Sequence, residues 1–334
     1  MSPAADDEPR VGERDILVSL ERLSRSSGTE SAKTVWIALG SNVLVGVAKT
    51  IAAVLTGSAS MLAEAAHSWA DTGDSVTLLV ANRRSYRPPD RAHPLGQGRE
   101  AYFWSLIAAL ALFVAGAAVS VAHGIQELIH PEPATDFIVA YVVLALAFVL
   151  EGISFLRSLR QARATAEIFG YDLIEEVMAT SDPTLRAVFF EDFAALVGLV
   201  IAAVALAAHQ ATGSSTPDAV GSILVGVLLA VVALVLINRN RQSLVGEEAN
   251  PRVRTAMIRA LLDMPEVARV TYLRLEIVAP RMLYIIGYVD LVGDDTESHV
   301  AVRLRALEAR ISASPAAAGV VLSLSAPDEP SLSP

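Results

Sequence analysis

Six apolar stretches, at 34–55, 59–82, 101–123, 136–157, 185–208 and 218–238, are each long enough to cross a bilayer, which takes about 20 residues in a helix. A chain with six such runs has few folds open to it. In hydrocarbon every backbone N–H and C=O must be satisfied within its own segment, so each run is expected as a helix. The breaks between them hold turn residues, as in "TGSAS", "RRSYRPPDRAHPLGQGRE" and "HQATGSSTPD". Of the 26 Lys and Arg, none falls in 50–82, 100–156 or 187–238. The loops after the first, third and fifth runs are therefore free of basic residues. Arg83, Arg84, Arg87, Arg91, Arg99, Arg157, Arg160, Arg163, Arg186, Arg239 and Arg241 gather on the other side. Cytoplasmic loops carry the basic excess, so both termini are expected in the cytoplasm and the protein in a cell membrane, plasma or inner.

The first 30 residues lack the apolar core and cleavage site of a signal peptide and read as a polar tail, with a short amphipathic helix around 16–23. The spanning part is expected over 31–243. Beyond it the character changes. "NPRVRTAMIRALLDMPEV" and "ESHVAVRLRALEARISAS" have helical character, with Pro251 in the first turn of the former. "ARVTYLRLEIVAP", "RMLYIIGYVDLV" and "AGVVLSLS" have the alternation and β-branched content of strands, the first two joined near Pro280. The expected fold is membrane α-helical, six transmembrane helices with a C-terminal cytoplasmic α+β domain over 244–325 and a disordered tail over 326–334.

The second run, "SMLAEAAHSWADTGDSVTLLVAN", carries Glu64, His67, Asp71 and Asp74 at offsets of 0, 3, 7 and 10. At 3.6 residues per turn these share one stripe, which Ser60 extends. An Asp at mid-bilayer costs about 2.5–3.5 kcal/mol on insertion scales, so a stripe of ionisable groups implies use. His67 and Asp71, one turn apart, point an imidazole and a carboxylate at one spot, which suits a divalent metal. The fifth run adds Glu191 and Asp192, about 100° apart around the helix, so one is expected to line the site and the other a helix contact. Asn42 and Lys49 share a face of the first run, and Lys49 either neutralises an acid or snorkels to an interface. Glu64 and Asp74 are expected as wet approaches to the His67–Asp71 site, and with Lys49 and Asn42 as candidates for access or proton coupling. Glu151, near the end of the fourth run, is expected in an ion pair with an arginine. His123 and Glu127, at the outer end of the third, are expected at the interface.

The chain has no Cys and a net charge of −10. Thiolate ligands are excluded, and nucleic acid, which wants a basic face, is not an expected partner. One His with two or three carboxylates accepts Zn²⁺, Mn²⁺ or Fe²⁺. Such ligands bind deprotonated, so metal must displace protons. There is no ATP-binding loop. A site that holds either metal or protons reads as a metal/proton antiporter, with the cation as cargo and no resident cofactor.

"TGSASMLAEAAHSWADTGD", "HPLGQGREAYFWSLIAAL", "FFEDFAALVGLVIAA", "DAVGSILVGVLLA", "SDPTLRAVFFED" and "SLVGEEANP" stand in the order of corresponding segments in a known family. The chain resembles the cation diffusion facilitators (solute carrier family 30), most of all the branch that includes human zinc transporter nine. The resemblance implies a homodimeric antiporter that moves Zn²⁺, or Mn²⁺ or Fe²⁺, out of the cytoplasm against protons. It implies a tetrahedral site with His67 and Asp71 from the second helix and Asp192 from the fifth. Many members have His or Asp one turn before that aspartate, where this chain has Val188, so the fourth ligand falls to Glu191, water or an unforeseen group. Many relatives bind further metal through clustered His in the cytoplasmic domain. Here His299 is the only His after His209, so no structural metal is expected there; Asp290, Asp294 and Asp295 read as a solvated turn, and the domain as a dimerisation module.

Three rival readings stand against this one. An intramembrane metalloprotease needs HExxH or a second His-bearing helix, and neither occurs. A channel needs a continuous wet pore or a filter loop. A regulatory subunit that has lost transport rests on Val188 alone.

Overall fold

The computed structural model describes residues 32–85, 87–131 and 137–334. The amphipathic helix expected around 16–23 lies outside them. The described chain divides into two units, one of residues up to Arg163 with Thr180–Gly246, the other of Ala164–Ala179 with Glu247–Pro334.

The first unit is helical. It is built from α1 (Ala32–Thr56), α2 (Ala59–Ser85), α3 (Glu100–Ile129), most of α4 (Phe137–Phe169), α6 (Pro183–Thr212) and α7 (Thr216–Val245). By length and composition alone α3, α4, α6 and α7 can cross a membrane. α1 and α2 are also of spanning length, at 25 and 27 residues. What keeps α2 from qualifying on hydropathy is its stripe of ionisable residues. α3 carries a π-helical stretch, Leu112–Ala118, where it packs along α7.

Helix ends follow local chemistry. The Asp182 carboxylate caps α6, accepting from Thr184 N (3.0 Å) and Leu185 N (3.2 Å), with Pro183 in the first turn. α4 is longer than the apolar run predicts. "RSLRQARATAEIF" is polar but made of helix formers, so the helix runs on to Phe169 and stops at Gly170, whose φ is 64°. α5 (Leu173–Ala179) then fills part of what reads in the sequence as a loop.

Two apolar clusters organise the bundle. One joins Ala63 and Ala70 of α2 to Ala109, Leu112 and Ala117 of α3, Ala187 and Ala194 of α6, and Val225, Leu229 and Leu236 of α7. The other joins Met61 of α2 to Ala52 and Ala53 of α1, Ala140, Leu144 and Ala147 of α4, and Leu199, Ala202 and Leu206 of α6. Among the described residues only α2 and α6 belong to both. The two helices that carry the clustered ionisable residues are thus the central pair, with α3 and α7 on one side and α1 and α4 on the other. Small residues let these helices approach closely. A Cβ on Gly226 of α7 would stand 2.9 Å from both Ala117 O and Val121 N of α3.

The second unit contains α8 (Pro251–Leu262), β1 (Val267–Ala279), β2 (Met282–Leu291), α9 (Glu297–Ser312) and β3 (Ala317–Leu324). The sheet order is β1-β2-β3, with β1 and β2 antiparallel and β2 and β3 parallel. The β1–β2 turn is Pro280–Arg281, and Leu275 faces Ile285 across the pair. Alternation buries Leu273, Leu275, Ile285 and Val289, along with Ile258 and Leu261 of α8 and Leu307 and Ile311 of α9. Tyr272 and Tyr288 lie on the other face, ring centroids 4.9 Å apart. Asp290 departs from the expected solvated turn. It lies in β2 and pairs with Arg269 of β1 at 2.8 Å. Asp295 does stand beyond the strand, held by Arg303 at 2.5 Å.

Candidate functional site

α2 is fixed at three levels against α1. Asn42 Nδ2 donates to Ser75 Oγ at 3.0 Å, Lys49 Nζ to Glu64 Oε2 at 3.0 Å, and Trp69 Nε1 to Thr50 Oγ1 at 3.0 Å. The first helical turn of α2 is fixed to α7. Asp218 accepts from Ala59 N at 2.7 Å, Ser60 N at 3.3 Å, Ser58 Oγ at 3.0 Å and the Ser60 hydroxyl. All of these groups are buried. The free N–H groups that begin any helix, and the positive end of its dipole, are therefore met by a carboxylate about 160 residues away in sequence. Nothing in the sequence near residue 60 announces that partner.

Between these fixings runs the stripe. Lys49 and Glu64 are both fully buried and paired, which decides between the two expectations for Lys49 in favour of neutralising an acid. Glu64 is expected as a wet approach, yet it is sealed from solvent; its Oε1 lies against α6, where a Cβ on Gly198 would stand 2.5 Å away. Asp74 is also buried, and so are Glu191 and Asp192 on α6.

His67 Nδ1 stands 3.5 Å from Asp71 Oδ1, a charge contact longer than a good hydrogen bond. Both ring nitrogens of His67, Oδ1 of Asp71 and Oδ2 of Asp192 are buried with no hydrogen-bond partner. Buried polar atoms are nearly always satisfied, so these four orphans, together with Oε1 of Glu64 and Oγ of Ser68 on α2, are a departure that asks for a cause. All four are donors a divalent cation accepts, an imidazole and two carboxylates.

Glu191 has Asp74, Asp71, Asp192 and Glu151 as ionisable neighbours. Asp192 has Glu151 and Asp71 as ionisable neighbours and Ser154 of α4 close by. Among the described residues no three His, Asp or Glu side chains stand at joint ligating distance. His67, Asp71, Asp74, Glu191 and Asp192 are brought to one region of the bundle, and Asn42 lies a turn or two from it on α1.

Sequence reasoning misjudged Glu151. It is expected beside an arginine, but its ionisable neighbours are Asp71, Lys49 and His67, while Arg157 and Arg160 are exposed. The missed signal was its place on the buried stripe of α4. Glu127, expected at an interface, is buried.

Residues 35–245 match the cation efflux transmembrane domain. The mouse protein named "Proton-coupled zinc antiporter SLC30A9, mitochondrial" is 36% identical over 235 residues, 70% of this chain and 41% of that protein. Its human counterpart is 34% identical over 257 residues, 76% and 45% of the respective chains. Metal tolerance protein C4 of Arabidopsis thaliana is 33% identical over 263 residues, 79% and 58%. The chain thus spans about half the length of the curated relatives it matches. These names correct one expectation. The mouse and human proteins are mitochondrial, against the plasma or inner cell membrane expected here. Basic loops report which way a protein faces across a bilayer and say nothing of which bilayer it is.

Proposed function

Because this chain belongs to the cation efflux family, we propose that it is a multi-pass transporter exchanging a divalent cation, Zn²⁺ foremost, for protons by alternating access. The cation is cargo. Its proposed donors are His67 and Asp71 on α2 with Asp192 on α6, and Glu191 faces Asp74 on the same pair of helices. The observation that carries the reading is the set of orphaned, buried donors on the two central helices. Oxygen and nitrogen donors of this kind must shed protons to take a metal, which supplies the exchange. The mouse and human relatives carry proton-coupled zinc antiport in their names, and this supports zinc over manganese or iron.

Assembly as a homodimer is part of the same proposal. It is supported by the open face of the C-terminal sheet, where Tyr272 and Tyr288 stay 40% and 36% exposed. Tyr272→Glu is expected to release monomers in light scattering, and an unchanged mass would remove that face from the proposal.

The test is flux into proteoliposomes under an imposed pH gradient, with Zn²⁺, Mn²⁺ and Fe²⁺ offered separately. Zinc uptake that Asp71→Ala abolishes is the expected result. No cation movement by folded wild-type protein would refute the reading.

A further inference from the structure

α4 turns two distinct faces. Ile138, Val142, Leu146, Val149 and Ile153 are exposed at helical spacing, an apolar stripe fit for lipid. Ala140, Leu144 and Ala147 lie on the opposite stripe, buried against α1, α2 and α6. Steps of four and three along that buried stripe reach Glu151 and then Ser154. Phe155 beside them packs against Phe189 and Phe193 of α6, ring centroids 5.4 and 6.2 Å apart. Those two rings flank Glu191 and Asp192 in sequence, so α4 meets α6 at the level of its acids. There Ser154 lies near Asp192, and Glu151 has Asp71, Lys49 and His67 as ionisable neighbours.

We propose that Glu151 on α4 is a cation-binding carboxylate of the site formed by His67, Asp71 and Asp192, so that three helices close on the cargo. Zinc favours four tetrahedral donors. His67, Asp71 and Asp192 offer three, and Glu151 is the acid on a third helix that the packing turns toward them. Lys49, already paired with Glu64, lies close enough to offset the added negative charge. The inference rests on the antiporter reading of the site and adds a helix to it.

The chain contains no Cys, which makes a direct test available. Full-length Glu151→Cys is purified and titrated with Cd²⁺. A thiolate bound to cadmium gives an ultraviolet charge-transfer band, and only position 151 can supply the thiolate. The expected result is a band that saturates at one cadmium per chain and is lost in Glu151→Cys combined with Asp71→Ala. Glu151→Gln, which keeps the side chain's size, should weaken Zn²⁺ and Cd²⁺ binding by about tenfold or more with an unchanged metal-free melting temperature. Cadmium bound to Glu151→Cys without the band would overturn the proposal. So would Glu151→Gln affinity within about twofold of wild type while Asp71→Ala loses far more, an outcome that leaves the antiporter reading intact. If wild type and Asp71→Ala bind cation equally, the reading of the site fails and this inference fails with it. Should Glu151→Cys not fold, Glu151→Gln decides alone.

Discussion

Replacing Asp218 by Ala removes the acceptor that satisfies the start of α2. The backbone N–H groups of Ala59 and Ser60, now 2.7 and 3.3 Å from its oxygens, would be left buried without partners, as would two serine hydroxyls. Each orphaned buried donor costs about 1–3 kcal/mol. The hydroxyls can rotate to other acceptors, so the two N–H groups dominate, and the loss comes to about 2–6 kcal/mol. For a unit of this size, 1 kcal/mol moves the melting temperature by about 2–4 °C, so a fall of about 10 °C is expected for purified full-length protein in one detergent. Asp218→Asn keeps one oxygen acceptor and gives up the charge, and it should lose about half as much. Because α2 bears His67 and Asp71, zinc flux should fall further than the surviving folded fraction explains. A melting temperature for Asp218→Ala within about 2 °C of wild type would refute the reasoning, since four buried hydrogen bonds to a carboxylate cannot be lost silently.

Other perturbations follow from the same packing. Lys49→Met leaves Glu64 charged, buried and unpaired, and should cost about 3–5 kcal/mol, whereas Lys49→Met with Glu64→Gln should cost much less; additive losses in the double-mutant cycle would mean the pair is not coupled. Gly226→Ala drives a methyl into the backbone of α3 at 2.9 Å and should destabilise by about 1–3 kcal/mol, read from the same melts; no change would mean the helices stand further apart than described. Glu176, outside the spanning segments, is raised to about 7 by burial, with Arg281 opposing. Its folded form then binds a proton more tightly than the unfolded chain, so stability is fullest below pH ~4.5 and falls as pH rises towards 7. Glu176→Gln should flatten that fall; an unchanged pH profile of unfolding would contradict the burial argument.

What the sequence made legible was whatever repeats with a local period. The stripe of α2 is a 3.6-residue pattern, and the strands of the C-terminal unit are a two-residue alternation, so both stand out in one dimension. Partners from elsewhere in the chain do not. Lys49 and Glu64 meet across a turn between two helices, and Asp218 reaches α2 from about 160 residues away. No spacing rule points at either contact. β3 beside β2 in parallel is equally silent, because it depends on how α9 carries the chain back. The extent of α4 was misjudged for a different reason. Hydropathy ends where the arginines begin, but helix propensity does not, and the backbone follows propensity once the charges stand outside the hydrocarbon. Glu151 shows the same error in the other direction. Its nearness to Arg157 in sequence suggested an ion pair, while the face it shares with Ala140, Leu144 and Ala147 turns it away from the exposed arginines.

In the proposed exchange the orphaned donors on α2 and α6 take a metal on one side of the membrane and protons on the other. The most direct measurement loads vesicles with a pH-sensitive dye, adds Zn²⁺ outside, and follows proton movement in wild type, His67→Ala and Asp192→Asn. Zinc-driven proton efflux is expected to saturate in wild type and to disappear in both variants while each remains folded. Zinc uptake with no proton movement, or efflux that survives both substitutions, would contradict it.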